Sequence, residues 1–197
     1  YDAVGIKRIT VSTYQAVSGS GTAAVNELAK QTADLLNGRD AECSVYPKQI
    51  AFNALPHIDT FMDNGYTKEE MKMCWETRKI FGDENIDVSA TCVRVPVFFG
   101  HSEAIQVETS EYIDEKEARG LLKRAEGVTV IDERRDGGYP TAVHESAGRD
   151  PVFVGRIRQD ISLKNGLSLW VVSDNVRKGA ALNSIQIAEE LIKVHLK

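Results

Sequence analysis

Residues 89–109 read SATCVRVPVFFGHSEAIQVET, two strand patterns, Ser89–Phe98 and Glu103–Thr109, joined by the turn FGHS with no helix between them. In the first, Val93, Val95 and Val97 face one way and Cys92, Arg94 and Pro96 the other, the alternation of a pleated strand. Parallel neighbours need a long crossover, usually a helix, so strands that follow one another directly point to a sheet with antiparallel pairs.

Upstream, KRITVSTY (7–14) alternates Ile9, Val11 and Thr13 with Arg8, Thr10 and Ser12, a strand with two different faces. It runs into QAVSGSG (15–21) and then a helical pattern to about Asn37, with Ala24, Leu28, Thr32 and Leu35 as its apolar stripe and Gly38 at C′. The stretch Cys43–Asp63 contains Pro47 and Pro56, yet Ile50, Phe52, Leu55, Ile58 and Phe61 are too apolar for a solvated loop. We expect it pinned against another element. Thr67 and Glu70 form a capping box for the helix TKEEMKMCWETRKIF, which Gly82 ends.

Downstream lie a charged helix (about Asp114–Ala125), a strand near Val128–Ile131, a polar loop over Asp132–Asp150, strands near Val152–Arg158 and Leu167–Ser173, and a helix from about Asn175. This last helix carries Ala180, Ile185, Ile187, Leu191 and Ile192. No repeat or linker divides the chain, which predicts a single domain over residues 1–197. Its class is α+β, with a mixed, mainly antiparallel sheet and helices packed on one face. Gly19 and Gly21 lack the third glycine of a dinucleotide fingerprint.

The 197 residues are 42% hydrophobic and 27% charged, ordinary for a chain with a real core, and the net charge of -5 offers no basic stripe for nucleic acid. No apolar run approaches the ~20 residues of a spanning helix. Cys43, Cys74 and Cys92 show neither a C-x-x-C nor a zinc spacing, so free thiols in a cytoplasmic setting, and no metal, are expected. Tyr1 stands where Met would, with a strand following closely, which leads us to expect further sequence upstream.

Four features carry possible chemistry. The small residues of TYQAVSGSG suit either a tight glycine turn or a backbone that approaches a ligand, with free N–H groups at a helix start and Gln15 as donor and acceptor. Glu69 and Lys72, three apart on one helix face, read as a solvated pair unless context says otherwise. Arg94, mid-strand on an apolar background, needs either a structural ion pair or an anionic ligand, and its planar fork suits a carboxylate. His101, in the turn after Gly100, is a proton shuttle or a surface histidine; His57, His144 and His195 lack catalytic-looking surroundings. Cys92 sits near both Arg94 and His101, but a thiol in mid-strand among apolar neighbours lacks what activates a nucleophile.

Together the segments STYQAVSGSG (12–21), YPKQIAFNALPHID (46–59), EEMKM with ETRKIF (69–81), CVRVPVFFGHSEA (92–104), FVGRIRQD (153–160) and WVVSDNVRKGAALNS (170–184) resemble the C-terminal domain of bacterial aspartate-semialdehyde dehydrogenase. The resemblance implies the glyceraldehyde-3-phosphate dehydrogenase type of C-terminal fold, whose sheet face forms a homodimer interface, within a dimer or tetramer. It implies reduction of L-aspartyl 4-phosphate by NADPH through a cysteine thioester, giving aspartate semialdehyde and phosphate on the route to lysine, threonine and methionine. By resemblance Gln15 positions the substrate or thioester, Glu69 binds its amino group, Lys72 its phosphate and Arg94 its α-carboxylate. His101 is then the general acid/base, Ser18 and Gly19 lie at the cofactor, and Asn175 lies near the nicotinamide. The nucleophilic cysteine and the NADP-binding half belong upstream, so the chain alone is expected to be inactive. The related N-acetyl-glutamyl-phosphate reductase, which needs no site for a free ammonium, and a non-catalytic dimerisation module are the alternatives.

Overall fold

The computed structural model describes residues 1–195, and the last two positions of the expected domain lie outside the described residues. Its strands are β1 (Ile6–Gln15), β2 (Asp87–Arg94), β3 (His101–Thr109), β4 (Val128–Val130), β5 (Val152–Gln159) and β6 (Gly166–Ser173). They form one sheet in the order β2-β1-β3-β6-β5-β4. The β1–β2 and β4–β5 pairs are parallel and the other three antiparallel, the mixed, mainly antiparallel sheet that the strand order predicts.

The boundaries around Arg94 differ from the expectation. β2 stops at Arg94, not Phe98, and His101 opens β3 instead of sitting in a turn. Pro96 has no N–H to offer a ladder. The segment after Arg94 instead crosses the end of β1, with Val95 N–H donating to Gln15 O and the Val97 and Phe98 carbonyls accepting from Val17 and Ser18. β1 therefore lies between β2 and β3. Register places Gln15 opposite Arg94, and Tyr14 opposite Ser102, so Gln15, Arg94 and His101 share one end of the sheet.

Helix α1 (Thr22–Leu36) ends as expected, with Gly38 at φ 71. Its stripe is only half apolar. Ala24 and Leu28 are buried, Thr32 and Leu35 are half-buried, and Glu27 and Gln31 are buried beside them. The Glu27 carboxylate accepts from Ser44 N (2.9 Å), Ser44 Oγ (2.7 Å), Val45 N and Tyr46 N (3.3 Å). Gln31 Oε1 accepts from Ile50 N (2.9 Å) and Ala51 N (3.1 Å). These bonds pin the irregular stretch and close a core of Val17, Ala24, Leu28, Tyr46, Ile50, Ala51 and Leu55. Phe52 and Phe61, expected to be pinned too, are each 65% exposed; Phe52 turns outward at a left-handed φ of 58.

Burial opposes ionisation of Glu27, but the bonds from Ser44, Val45 and Tyr46 outweigh it and hold its pKa below the ordinary value. Its stabilising effect is thus complete above a glutamate's usual pKa of about 4.3 and is lost as pH falls through the lowered native value. Glu27→Ala, which strands several donors at once, is expected to lower stability by about 3 kcal/mol. Urea unfolding at neutral pH checks this, and the wild-type advantage should shrink on acidification.

Helix α2 (Lys68–Phe81) has both halves of the capping box, and Gly82 ends it at φ 65. Glu70 also ties the helix to the sheet: one oxygen takes Thr67 N–H (2.8 Å), the other Cys92 N–H on the open edge of β2 (3.0 Å). Cys74 Sγ to Val88 O (3.4 Å) and Arg78 Nε to Ile86 O (2.9 Å) continue this cover, so the edge strand is not left free to pair with another chain. Helix α3 (Glu115–Arg124), capped by Asp114, packs over β4 and β5 around Ile113, Ala118, Val154, Ile157 and Leu167. The loop over 132–150 includes a π-helical turn, Ala142–Ser146. A second π-helical turn, Arg177–Ala181, leads into α4 (Leu182–His195), which buries none of its residues and leaves Ile185, Ile187, Leu191 and Ile192 more than half exposed.

Candidate active site

The shared end of β1, β2 and β3 opens into a cavity of about 340 Å³. Gln15, Arg94 and His101 line it from the strands, Glu69 and Lys72 from α2, and Gly19 from the turn after β1. Five residues expected on substrate thus meet in one place. Ser20, Ile58 and Asp59 complete the wall. The sequence reading missed Asp59, whose only local hint is its place after an apolar run; it adopts φ 68, a conformation that aspartate tolerates better than most residues. A larger cavity of about 500 Å³, lined by Trp170, Tyr139, Pro140 and Arg156 among others, holds none of the expected residues.

Glu69 links the α2 side of the cavity to the strands. It accepts from Gln15 Nε2 (3.3 Å) and from Lys72 Nζ (2.9 Å). The bond to Glu69 raises the Lys72 pKa. With both side chains partly exposed the pair is worth little as a structural contact. It leaves an ammonium and a carboxylate at the cavity wall.

Arg94 differs. It is 5% exposed, its Nη1 donates to Ala16 O (2.7 Å), and its buried Nε has no partner. Among the described residues no carboxylate forms an ion pair with it, which removes the structural salt bridge as its explanation. Burial pulls its pKa down, against Tyr46 and Glu69. A buried cation without an ion-paired carboxylate is a costly arrangement, and an anion in the cavity would relieve it.

Beside it, His101 Nδ1 accepts from the Ala16 N–H at 3.1 Å. Burial, then the Arg94 charge, lower its pKa to about 4. Gly100 at φ 87 is required just before it, because a side chain there would also meet Ser146 Oγ at 2.8 Å. The two readings of the glycine turn separate by residue. Gly21 is the conformational one, at φ 87 with open space around it. Gly19 is the close-approach one: a Cβ there would lie 2.9 Å from Arg94 Nη1 and 3.4 Å from His101 Nε2. The expectation that this turn offers free N–H groups to an anion is not met at its start. Val17, Ser18 and Gly19 donate to the carbonyls of Val97, Phe98 and Ala16, which leaves Arg94 and Lys72 as the cations at the cavity wall.

Ser18 and Asn175 lie together on the flank: Asn175 Nδ2 donates to Ser18 Oγ (3.0 Å), and its Oδ1 accepts from Gly100 N–H (3.0 Å). None of the cysteines lines the cavity. Cys92 is fully buried, and burial raises its pKa to about 11; burial raises that of Cys74 as well. A thiol reagent on the folded chain is expected to modify exposed Cys43 first, with Cys74 and Cys92 following only on unfolding. Mass spectrometry of the labelled peptides checks this.

Known proteins resemble this chain along nearly its whole length. The model of the family "semialdehyde dehydrogenase, dimerisation domain" matches residues 1–178. An aspartate-semialdehyde dehydrogenase of Shewanella violacea is 63% identical over 193 residues, 98% of this chain and 56% of the relative. One from Legionella pneumophila is 62% identical over 97% of this chain and 55% of its own length. The chain thus spans little more than half the length of these relatives. Among solved structures, aspartate semialdehyde dehydrogenase II from Vibrio cholerae, complexed with ASA, superposes with a TM-score of 0.95 at 56% identity, over 99% of this chain and 57% of that one. An enzyme of the same name from Candida albicans, solved with NADP, has a TM-score of 0.62 at 26% identity, over 94% and 50% of the two chains.

Proposed function

The chain belongs to the semialdehyde dehydrogenase dimerisation-domain family, and from that premise we propose that it is the substrate-binding and dimerisation half of an NADP-dependent aspartate-semialdehyde dehydrogenase. The observation that carries the reading is Arg94, buried at the cavity without a carboxylate of its own. Its fork takes the α-carboxylate of aspartyl 4-phosphate. Glu69 takes the α-ammonium, Lys72 the phosphate, and Gln15 holds the acyl group from the strand side. His101 Nε2, next to the Arg94 fork at Gly19, faces the reacting carbonyl. Product release then yields aspartate semialdehyde and phosphate, a step of amino-acid biosynthesis.

The attacking thiol comes from outside these residues, since Cys92 and Cys74 are buried with raised pKa values and Cys43 lies away from the cavity. The cofactor supplies the hydride when bound. The Ser18–Asn175 edge is uncharged and half-buried, which fits an amide such as the nicotinamide carboxamide. Two nearby cations are turned elsewhere, Arg177 to Asp150 and Lys178 to Gln186, so most phosphate contacts belong to the other half of the enzyme. The sheet face that carries Tyr14 and Trp170, their rings 5.6 Å apart, is the one we assign to the homodimer.

Two measurements on the purified chain test this reading. Light scattering at micromolar concentration should give a dimer, and the chain should not reduce NADP with aspartate semialdehyde and phosphate. A strict monomer would count against the assigned interface. Turnover would show that a thiol within these residues is the nucleophile.

A further inference from the structure

We propose that Glu103, with the buried Thr13 hydroxyl opposite it, seats the start of a thiol-bearing helix that the other half of the enzyme supplies, and so positions the nucleophile at the cavity. This seat depends on the functional reading above, in which the thiol comes from outside these residues. β3 turns His101, Glu103, Ile105 and Val107 to one face, and register sets Glu103 between Thr13 on β1 and Val171 on β6. Glu103 thus lies one row behind the Gln15–Arg94–His101 end of the sheet, about 7 Å along the strand.

Helices cover only the flanks of that face. α2 packs on β2, and α3 on β4 and β5, where its Ala118 joins Val154 and Leu167 in one cluster. Among the described residues no helix packs along β3, and Ile105, Val107, Leu169 and Val171 are only half-buried. From β1 to β6 is two strand spacings, about 10 Å, the width of one helix. This strip runs directly into the cavity at His101.

Its two polar groups lack partners. Glu103 forms no ion pair among the described residues, and burial, with no hydrogen bond or charge against it, pushes its pKa up. The Thr13 hydroxyl lies near the Cys92 thiol, whose ionised form it favours, but makes no hydrogen bond among the described residues. A helix start offers the complement, N–H groups without acceptors, and is where a thiol ionises readily. The chain spans little more than half the length of its relatives, so the enzyme has the residues to fill the strip.

The test compares Glu103→Leu with Glu103→Gln, whose amide oxygen still accepts a hydrogen bond. In the chain itself, where the carboxylate is unpartnered, leucine should hold or raise the thermal unfolding midpoint. In the full-length enzyme it should lower kcat about ten- to a hundredfold, with KM unchanged for both substrates because Arg94 and Lys72 are untouched. The pH midpoint for alkylation of the nucleophilic thiol by iodoacetamide should rise, as the thiol leaves its place at the cavity. Glu103→Gln should keep kcat and the thiol midpoint close to wild type. A lower unfolding midpoint of the leucine chain would make Glu103 a structural residue and overturn the seat. Wild-type kcat in the leucine enzyme, or equal impairment by glutamine and leucine, would overturn it too. A wild-type enzyme inactive toward aspartate semialdehyde would instead refute the functional reading, and the seat with it.

Discussion

Arg94→Ala in the full-length enzyme is expected to raise the KM for aspartate semialdehyde about a hundred- to a thousandfold. Arg94 is a buried fork whose Nη1 is anchored on Ala16 O, and among the described residues no carboxylate forms an ion pair with it. Truncating one partner of a buried, hydrogen-bonded charge pair costs about 2–5 kcal/mol, and each 1.4 kcal/mol is about tenfold in binding. Arg94→Lys should recover only a small part, because an ammonium keeps the charge but not the two parallel N–H groups. The phosphate KM should change far less, since Lys72 stands on α2 and its partner is Glu69. Steady-state kinetics with each substrate varied separately, on variants with unchanged circular dichroism, distinguish these outcomes. Equal losses for both substrates would mean that the cavity had been distorted as a whole.

His101→Ala is expected to act on the other parameter and lower kcat about a hundred- to a thousandfold with little change in KM, the usual effect of removing a positioned general acid/base. The Ala16 amide fixes the ring through Nδ1, and Nε2 faces the cavity beside Gly19. His101→Gln, which keeps a polar side chain but cannot take up and return a proton, should be impaired about as much as His101→Ala. The kcat profile should also show no acid limb near the usual histidine pKa of about 6.5 from this residue, whose own pKa is about 4.

Local chemistry was the readable part of this chain. The Thr67–Glu70 box and Gly82 bracket α2 because capping is settled within a few residues, and the alternation in 7–14 and 89–94 gives β1 and β2 their faces for the same reason. Long-range pairing was not readable. Periodicity shows that Cys92 and Arg94 share a face, but not that β1 lies between β2 and β3, and that insertion is what brings Gln15, Arg94 and His101 together. Arg94 shows the limit most clearly: the sequence left an ion pair and a ligand clamp equally open, and only the arrangement of carboxylates around it removed the first. Glu27 and Gln31 were missed for a related reason. A polar residue inside an apolar stripe looks like a break in the pattern until its partners, here the amides of 44–46 and 50–51, are known. The residues proposed to hold substrate rest on the family resemblance, because Glu69 and Lys72 alone read as an ordinary surface pair.

The central claim is that Glu69, Lys72 and Arg94 form a pocket for a substrate with a free α-ammonium, a phosphate and an α-carboxylate. The most direct test is phosphate-dependent NADP reduction by the full-length enzyme with two substrates in parallel, aspartate semialdehyde and N-acetyl-glutamate semialdehyde. The expected result is turnover of the first and essentially none of the second, whose acylated nitrogen gives Glu69 no charge to bind. Preference for the N-acetylated substrate would contradict the assignment of the cavity.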